Sequence, residues 1–452
     1  MARGEGSGRG WPLLAGLLAG GVAAALLAPA TRRRRLDRTL VRALSAGSEA
    51  PPVVFVPGIL GSQLVRPDGT TAWLNLGNAF GHHDLRLSRR ARSAEGHDDL
   101  RPGLLVGTDT VLPRAFGFTE YADVLDLLDG AGFEPGMAGS GLRYAVFTYD
   151  WRLDLVETAR DLAHRLDALA EARGDPDARF HLVGHSMGGL VVRYYLRFGE
   201  AGPEGAEVTW AGARRLASAL LVATPSAGSI QSLDAILEGT RVGLSYTTLA
   251  ASVVSRMPSI YQLLPPDGTY SLLSPRGRRL RLALHDIGTW ERFGWGPFAP
   301  SPDDRGAEER AFLRDALERA RSFHTALARA PETPCPVPIY AIGGDCLPTL
   351  ARAVVGEGKP GQPPRFEPRT RREQELMFQA GDGRVTRASL LGSHLPSAPE
   401  SESGCGIPEV KDVFFGAADH HGLYGDPAFQ SLLLRLLLRR GRPPVPPLPM
   451  PS

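Results

Sequence analysis

Within Phe180 to Leu196 an apolar run, Phe180 to Val183, leads into Gly184-His185-Ser186-Met187-Gly188 and straight on into an amphipathic helical pattern. No other segment narrows the folds open to the chain as much. A serine on a tight strand-to-helix turn takes a strained backbone conformation, and glycines two residues to either side let neighbouring backbone close in without Cβ clashes. The Ser186 hydroxyl then projects outward as a candidate nucleophile, and the Met187 N–H, at the helix start, points where an oxyanion would form. A bare five-residue match would be weak. The strand, turn and helix around this one make a purely structural glycine turn the minor reading.

The same alternation runs through the rest of the chain. Short β-branched and aromatic runs occur at Val53 to Val56, closed by Pro57-Gly58, and at Tyr144 to Thr148, Ala219 to Ala223 and Val337 to Ile342. Tyr121 to Leu128 and Val156 to Ala172 set apolar residues three and four apart among Asp, Glu and Arg, so helices fill the gaps between strands. These features predict an α/β-hydrolase fold, a mostly parallel doubly wound sheet with a cap or lid insertion. With 452 residues, 43% of them apolar and 22% charged, the chain can bury a large core. The expected organisation is an N-terminal hydrophobic and basic segment over 1–50, a first part of the core over 51–225 with a lid-like insertion at about 70–113, a cap over 226–334, a second part of the core over 335–439 and a Pro-rich tail over 440–452.

Gly10 to Ala30 carries no charge and is mostly Leu, Ala, Gly and Val. As a helix of roughly 30 Å it would match the thickness of a bilayer's hydrocarbon. Arg32 to Arg35 follow at once and favour a cytoplasmic flank, so a membrane-associated protein with the membrane surface as a partner is expected. Export after cleavage near Ala28-Pro29-Ala30 is the alternative. Fifty-one basic residues against 49 acidic ones leave a net charge of +2, which gives no field drawing in nucleic acid. Cys335, Cys346 and Cys405 are too few for a disulfide framework, though one bridge is conceivable. His82-His83-Asp84 and His97-Asp98-Asp99 offer metal-binding atoms, but their Arg-rich, aperiodic stretch reads as a solvated loop, and no metal is assigned. The pattern fixes no oligomeric state.

A serine hydroxyl needs a histidine as base and an acid to hold the histidine's tautomer. In this fold the chain order is serine, acid, histidine. Downstream of Ser186 lie His285, His324, His394, His420 and His421. Only His420 and His421 sit in a loop, Phe414 to Leu423, that precedes a final apolar helix over Phe429 to Leu438, and His420 is favoured. For the acid, Asp382 lies between glycines in Gly381-Asp382-Gly383, while Asp345 directly follows an apolar strand-like run, where chain position alone would favour it. Asp412 and Asp419 are discounted, since a carboxylate so close to the histidine in sequence usually makes local turn contacts. Asp150 and Arg152 read as a structural ion pair.

Several separated segments together resemble the lecithin:cholesterol acyltransferase family, which includes lysosomal phospholipase and the phospholipid:diacylglycerol acyltransferases. They are Val56 to Leu64, Tyr149-Asp150-Trp151-Arg152, Gly184 to Gly189, Pro258 to Pro265, Leu347-Pro348-Thr349 and Gly381-Asp382-Gly383 followed by Val385. The resemblance spans most of Val53 to Leu438. It implies that the acid is Asp382 rather than Asp345, that Ile59 gives the first oxyanion N–H, and that His420, with Leu423 three residues on, is the base. The chain departs from the family at Thr71 to Leu76, where Trp73 stands without a nearby cysteine, and at Ser226-Ala227-Gly228-Ser229 in place of Trp-Gly-Gly-Ser. The implied activity is that of a lipid O-acyltransferase, lipase or phospholipase working through a Ser186, Asp382, His420 triad and an acyl-enzyme, without a cofactor and with a lipid acyl ester as substrate. A general carboxylesterase, or a membrane-tethered non-catalytic binding protein on the same fold, are the alternatives.

Overall fold

Runs rich in Val, Leu, Ile and Phe are buried on both faces only in a parallel sheet covered by helices on either side, and the computed structural model shows that arrangement. It describes residues 49–74, 81–82, 85–87, 99–108, 120–139, 141–242, 247–299, 306–356, 361–393 and 405–438. The main sheet has seven strands: β1 (Val53–Val56), β2 (Glu134–Pro135), β3 (Arg143–Val146), β4 (Phe180–His185), β5 (Leu216–Val222), β6 (Ile339–Gly344) and β7 (Val410–Gly416). They lie in the order β7-β6-β5-β4-β1-β3-β2, and every neighbouring pair is parallel. β1 is the switch point, with Val53 opposite Tyr144 on one side and His181 on the other.

The two faces fill separately because successive side chains of a strand point opposite ways. Val54 and Val56 join the core under α2 (Leu155–Arg173), α3 (Met187–Phe198) and α4 (Gly306–Ala328). Val53 and Phe55 join the core under α1 (Glu120–Gly130) and α5 (Pro427–Leu437). The sheet is thus doubly wound, as expected. Asp154 caps α2 by accepting from the Val156 and Glu157 N–H groups, and Gly174, at φ 71°, ends it.

Outside the main sheet the described residues carry further regular structure. Around Trp73 the strands Ser62–Val65, Thr71–Trp73 and Arg101–Leu105 make a small sheet with antiparallel pairing. Between β5 and β6 the chain leaves the main sheet and returns through α4. The Pro258 to Pro265 segment docks on the loop before α2: Ser259 Oγ donates to Trp151 O at 2.7 Å, Gln262 Oε1 accepts from Leu155 N–H at 2.8 Å, and Gln262 Nε2 donates to Asp154 at 3.0 Å. Asp150 and Arg152 form the expected buried ion pair at 2.6 Å. Cys335, Cys346 and Cys405 form no disulfide among the described residues.

One expectation is corrected. No helix among the described residues is long and apolar enough to cross a membrane, so placing the protein at a membrane through its N-terminal hydrophobic segment does not stand. The Gly10 to Ala30 run itself lies outside the described residues, as do His83, Asp84, His97, Asp98 and His394.

Beneath α3 sits a fully buried charge cluster. Glu409 Oε1 accepts from Arg193 Nε at 2.9 Å and from Arg197 Nη1 at 2.8 Å. Burial alone would raise the Glu409 pKa, but the charges of Arg193 and Arg197 outweigh it and hold the carboxyl below its usual range. Such a cluster is weak evidence of net stabilisation, yet removing one member leaves buried charge uncompensated. Glu409→Gln is therefore expected to cost about 3 kcal/mol. A urea unfolding curve that shifts little would contradict this.

Candidate active site

The turn after β4 packs so closely that only glycine fits. A Cβ on Gly188 would fall 2.4 Å from the carbonyl oxygens of Val56 and Pro57, one on Gly184 2.7 Å from Gly189 Cα, and one on Gly189 1.8 Å from Thr224 Oγ1. Ser186 takes φ 53° and ψ −124° and makes no side-chain cap bond to α3. Positive φ is costly for a residue with a Cβ. Here it is held in place by the Ser186 N–H, which is anchored to Val222 O at 2.8 Å. Met187, fully buried, begins α3 directly below.

Facing Ser186 is the turn that follows β1. Gly61 N–H donates to Gly58 O at 3.2 Å, and Leu60 sits at φ 67°, the positive-φ third position of a type II turn. This closure leaves the N–H groups of Ile59 and Leu60 outside the turn's own hydrogen bond. A Cβ on Gly58 would fall 2.9 Å from Ser186 Cβ, so the Gly58-Ile59 backbone lies against the serine. The turn is clamped from outside. Tyr149 Oη donates to Pro57 O at 2.8 Å, Trp73 Nε1 to Leu60 O at 3.0 Å, Trp151 Nε1 to Ser62 O at 3.0 Å, and Ser62 Oγ accepts from Tyr149 N–H at 3.1 Å. The Tyr149 to Arg152 motif thus shapes the turn next to Ser186. Trp73, fully buried, packs edge-on against Trp151 beneath it rather than reaching into solvent.

The histidine loop after β7 and the acid come together on the other side. His420 Nδ1 lies 2.8 Å from Asp382 Oδ2, and His420 N–H donates to Asp382 O at 2.9 Å. Asp382 Oδ1 accepts from the N–H groups of Val385, at 2.7 Å, and Arg384, at 2.9 Å. Burial would raise the Asp382 pKa, but the charge of His420 and its hydrogen bond, with those two N–H groups, outweigh it and keep the carboxyl below its usual range. Asp382 directly follows the second of two antiparallel paired strands, Leu347–Leu350 and Phe378–Gly381. Gly344, at the end of β6, packs against it, since a Cβ there would meet Ala418 O at 2.2 Å and Asp382 Cβ at 3.1 Å. The elbow meets the histidine loop through His185, whose ring is 4.9 Å from that of His420.

The competing residues lie elsewhere. Asp345 is paired with Arg387 at 3.0 Å. Asp419 accepts from Gly422 N–H in a local turn, and Asp412 and His421 are exposed. His324 Nε2 faces Gln262 O at 2.9 Å in the segment between β5 and β6, with His285 beside it at 5.3 Å between rings. Two residues with a place in this geometry were not read from the sequence. Tyr121 counted only as the first apolar residue of a helix, and His185 only as the free position of the elbow. The signal was indirect: at Gly61 the Tyr121 ring fills the space a Cβ would take, and at Gly58 a Cβ would meet Ser186 Cβ at 2.9 Å and Tyr121 Oη at 3.3 Å.

Chemically, an imidazole whose Nδ1 is held by a carboxylate presents Nε2 as its basic nitrogen. A doubly wound parallel sheet with a strand-to-helix elbow after β4 is the α/β-hydrolase fold. Residues 114–277 match the lecithin:cholesterol acyltransferase family model, so the resemblance read in the sequence is shown over that stretch. The structure is similar to that of the Tle4-Tli4 complex, at 15% identity over 86% of this chain and 98% of that one, with a TM-score of 0.48. It is also similar to Bacillus licheniformis lipase BlEst2 in mature form, at 13% identity over 86% and 92% with a TM-score of 0.35. A third likeness is to lipase 1 from Pelosinus fermentans, at 13% identity over 87% and 100% with a TM-score of 0.36. None of these likenesses bears on what this chain does. No curated protein matches it.

Proposed function

We propose that the protein is a serine-dependent enzyme acting on the acyl esters of lipids through an acyl-enzyme. The observation that carries the reading is the buried Asp382 carboxylate 2.8 Å from His420 Nδ1, beside the Ser186 elbow, in a chain that matches the lecithin:cholesterol acyltransferase family over 114–277. His420 Nε2 takes the Ser186 proton as Oγ bonds to the ester carbonyl carbon, and the N–H groups of Ile59 and Met187 receive the oxyanion. Collapse breaks the bond to the leaving alkoxide, which takes the proton from His420. Water, or an alcohol held near the serine, then attacks the acyl-enzyme with His420 again as base. Asp382, kept ionised, holds the imidazole in the tautomer that both steps need. The residues named need no metal or cofactor to carry these steps.

The test is product analysis with phosphatidylcholine in detergent micelles, with and without a long-chain alcohol. Free fatty acid and lysophospholipid are expected, and an acyl ester of the added alcohol would mark transfer. Cleavage of short nitrophenyl esters alone would make the protein a general carboxylesterase. Absence of acyl release from every ester would overturn the proposal.

A further inference from the structure

Between the turn at Gly58 and the loop at His420 runs a chain of hydrogen bonds through buried side chains that the mechanism above does not use. Gly58 N–H donates to Tyr121 Oη at 3.0 Å, Tyr121 Oη lies 3.1 Å from His185 Nδ1, and His185 Nε2 lies 3.4 Å from His420 O. The two ends fix the protons in the middle. A backbone N–H can only donate, so Tyr121 accepts there, and a carbonyl can only accept, so His185 Nε2 carries a proton. In a neutral imidazole Nδ1 is then an acceptor, and Tyr121 gives it the phenolic hydrogen. Burial favours this neutral form. The His185 pKa is held well below its ordinary value, by burial first and then by the charges of His420 and His421, against the bond to the His420 carbonyl.

Packing agrees with the bonding. The Tyr121 ring meets His185 edge-on at 5.6 Å, and His185 meets His420 at 4.9 Å. A Cβ on Gly61 would fall 2.8 Å from Tyr121 Cε2, and one on Gly58 3.3 Å from Tyr121 Oη, so the turn rests directly on this ring. Where the ring stands sets how the Gly58-Ile59 peptide lies over Ser186.

We propose that Tyr121 and His185 are positioning residues that couple the oxyanion turn to the histidine loop, so that the Ile59 N–H and the His420 ring are held at one spacing about Ser186. The proposal rests on the reading of Ser186 and His420 given above. Tyr121→Phe keeps the ring and removes only the hydroxyl. Misplacing an oxyanion donor matters in the transition state rather than in substrate binding. The expected result is a kcat lower by roughly tenfold to a hundredfold, below the cost of deleting a donor outright, with KM within about twofold.

His185→Gln breaks the same chain at its next link and should lower kcat comparably. Because the two act in series, the Tyr121→Phe, His185→Gln double variant should be no slower than the slower single variant by more than about twofold. A merely structural role would give losses that multiply. Thermal melts of all three check that each is folded, and a fluorophosphonate on the wild type checks that Ser186 is labelled. If Ser186 is labelled and the single variants keep kcat, lose only KM, or have losses that multiply, the coupling is refuted. If wild type is labelled elsewhere, the reading of Ser186 fails, and the coupling with it.

Discussion

Ser186→Ala should lower kcat at least about a thousandfold, the scale for removing a nucleophile of this kind, and leave the thermal transition close to that of the wild type. The first expectation follows from the setting, because Ser186 holds the strained φ of 53° at the start of α3 and the Gly58 backbone packs against its Cβ. The second follows from what the side chain does not do. It makes no cap bond to α3, and the N–H anchored to Val222 O is unchanged in alanine. The backbone strain also persists, since alanine at positive φ pays about what serine does. The residual rate should reflect the remaining oxyanion donors and substrate binding. A fluorophosphonate should label the wild type at Ser186 and fail to label the variant. Retained turnover, or a label on another serine, would remove Ser186 from the mechanism.

Which parts of this were legible in the sequence follows from where the determining contacts lie. β1, β4, β5 and β6 stand out because strands buried on both faces need continuous apolar runs. β7, Val410–Gly416, was missed because it is an edge strand whose Lys411 and Asp412 face solvent, and β2 because it is two residues long. The elbow was legible because its glycines and its serine are neighbours in sequence. Its surroundings were not. Tyr121 reaches Gly58 across 63 positions, and Trp151 reaches Ser62 across 89, and no local pattern encodes such contacts. The acid shows the limit most plainly. Asp345 and Asp382 both follow strands and both adjoin glycines, so the residues alone left the choice open. The geometry that separates them is the antiparallel pairing of Leu347–Leu350 with Phe378–Gly381, which carries Asp382 to His420, while Asp345 stays partly exposed beside Arg387.

That difference gives the other large expected effect. Asp382→Asn should lower kcat by roughly three to four orders of magnitude, the scale seen when a histidine loses the carboxylate that holds its tautomer. The substitution is nearly isosteric, and the new side chain can still accept from the N–H groups of Val385 and Arg384 through Oδ1. What it cannot do is accept strongly from His420 Nδ1–H while stabilising the positive charge that develops on the imidazole. The wild type also has a definite pH dependence in this respect. Because the Asp382 carboxyl is held below its usual range, its support of His420 is fully present above the ordinary aspartate pKa and is lost only as pH falls through the lower folded value. Asp345→Asn removes only a partly exposed pair with Arg387, worth about 1 kcal/mol or less, and should leave kcat within about threefold. On the same logic His420→Ala should abolish turnover and His421→Ala, at an exposed position, should not. Steady-state kinetics on the four variants decide the assignment: if Asp345→Asn proves as damaging as Asp382→Asn, or His421→Ala as His420→Ala, the buried pair at 2.8 Å is a structural contact and the base must be sought elsewhere.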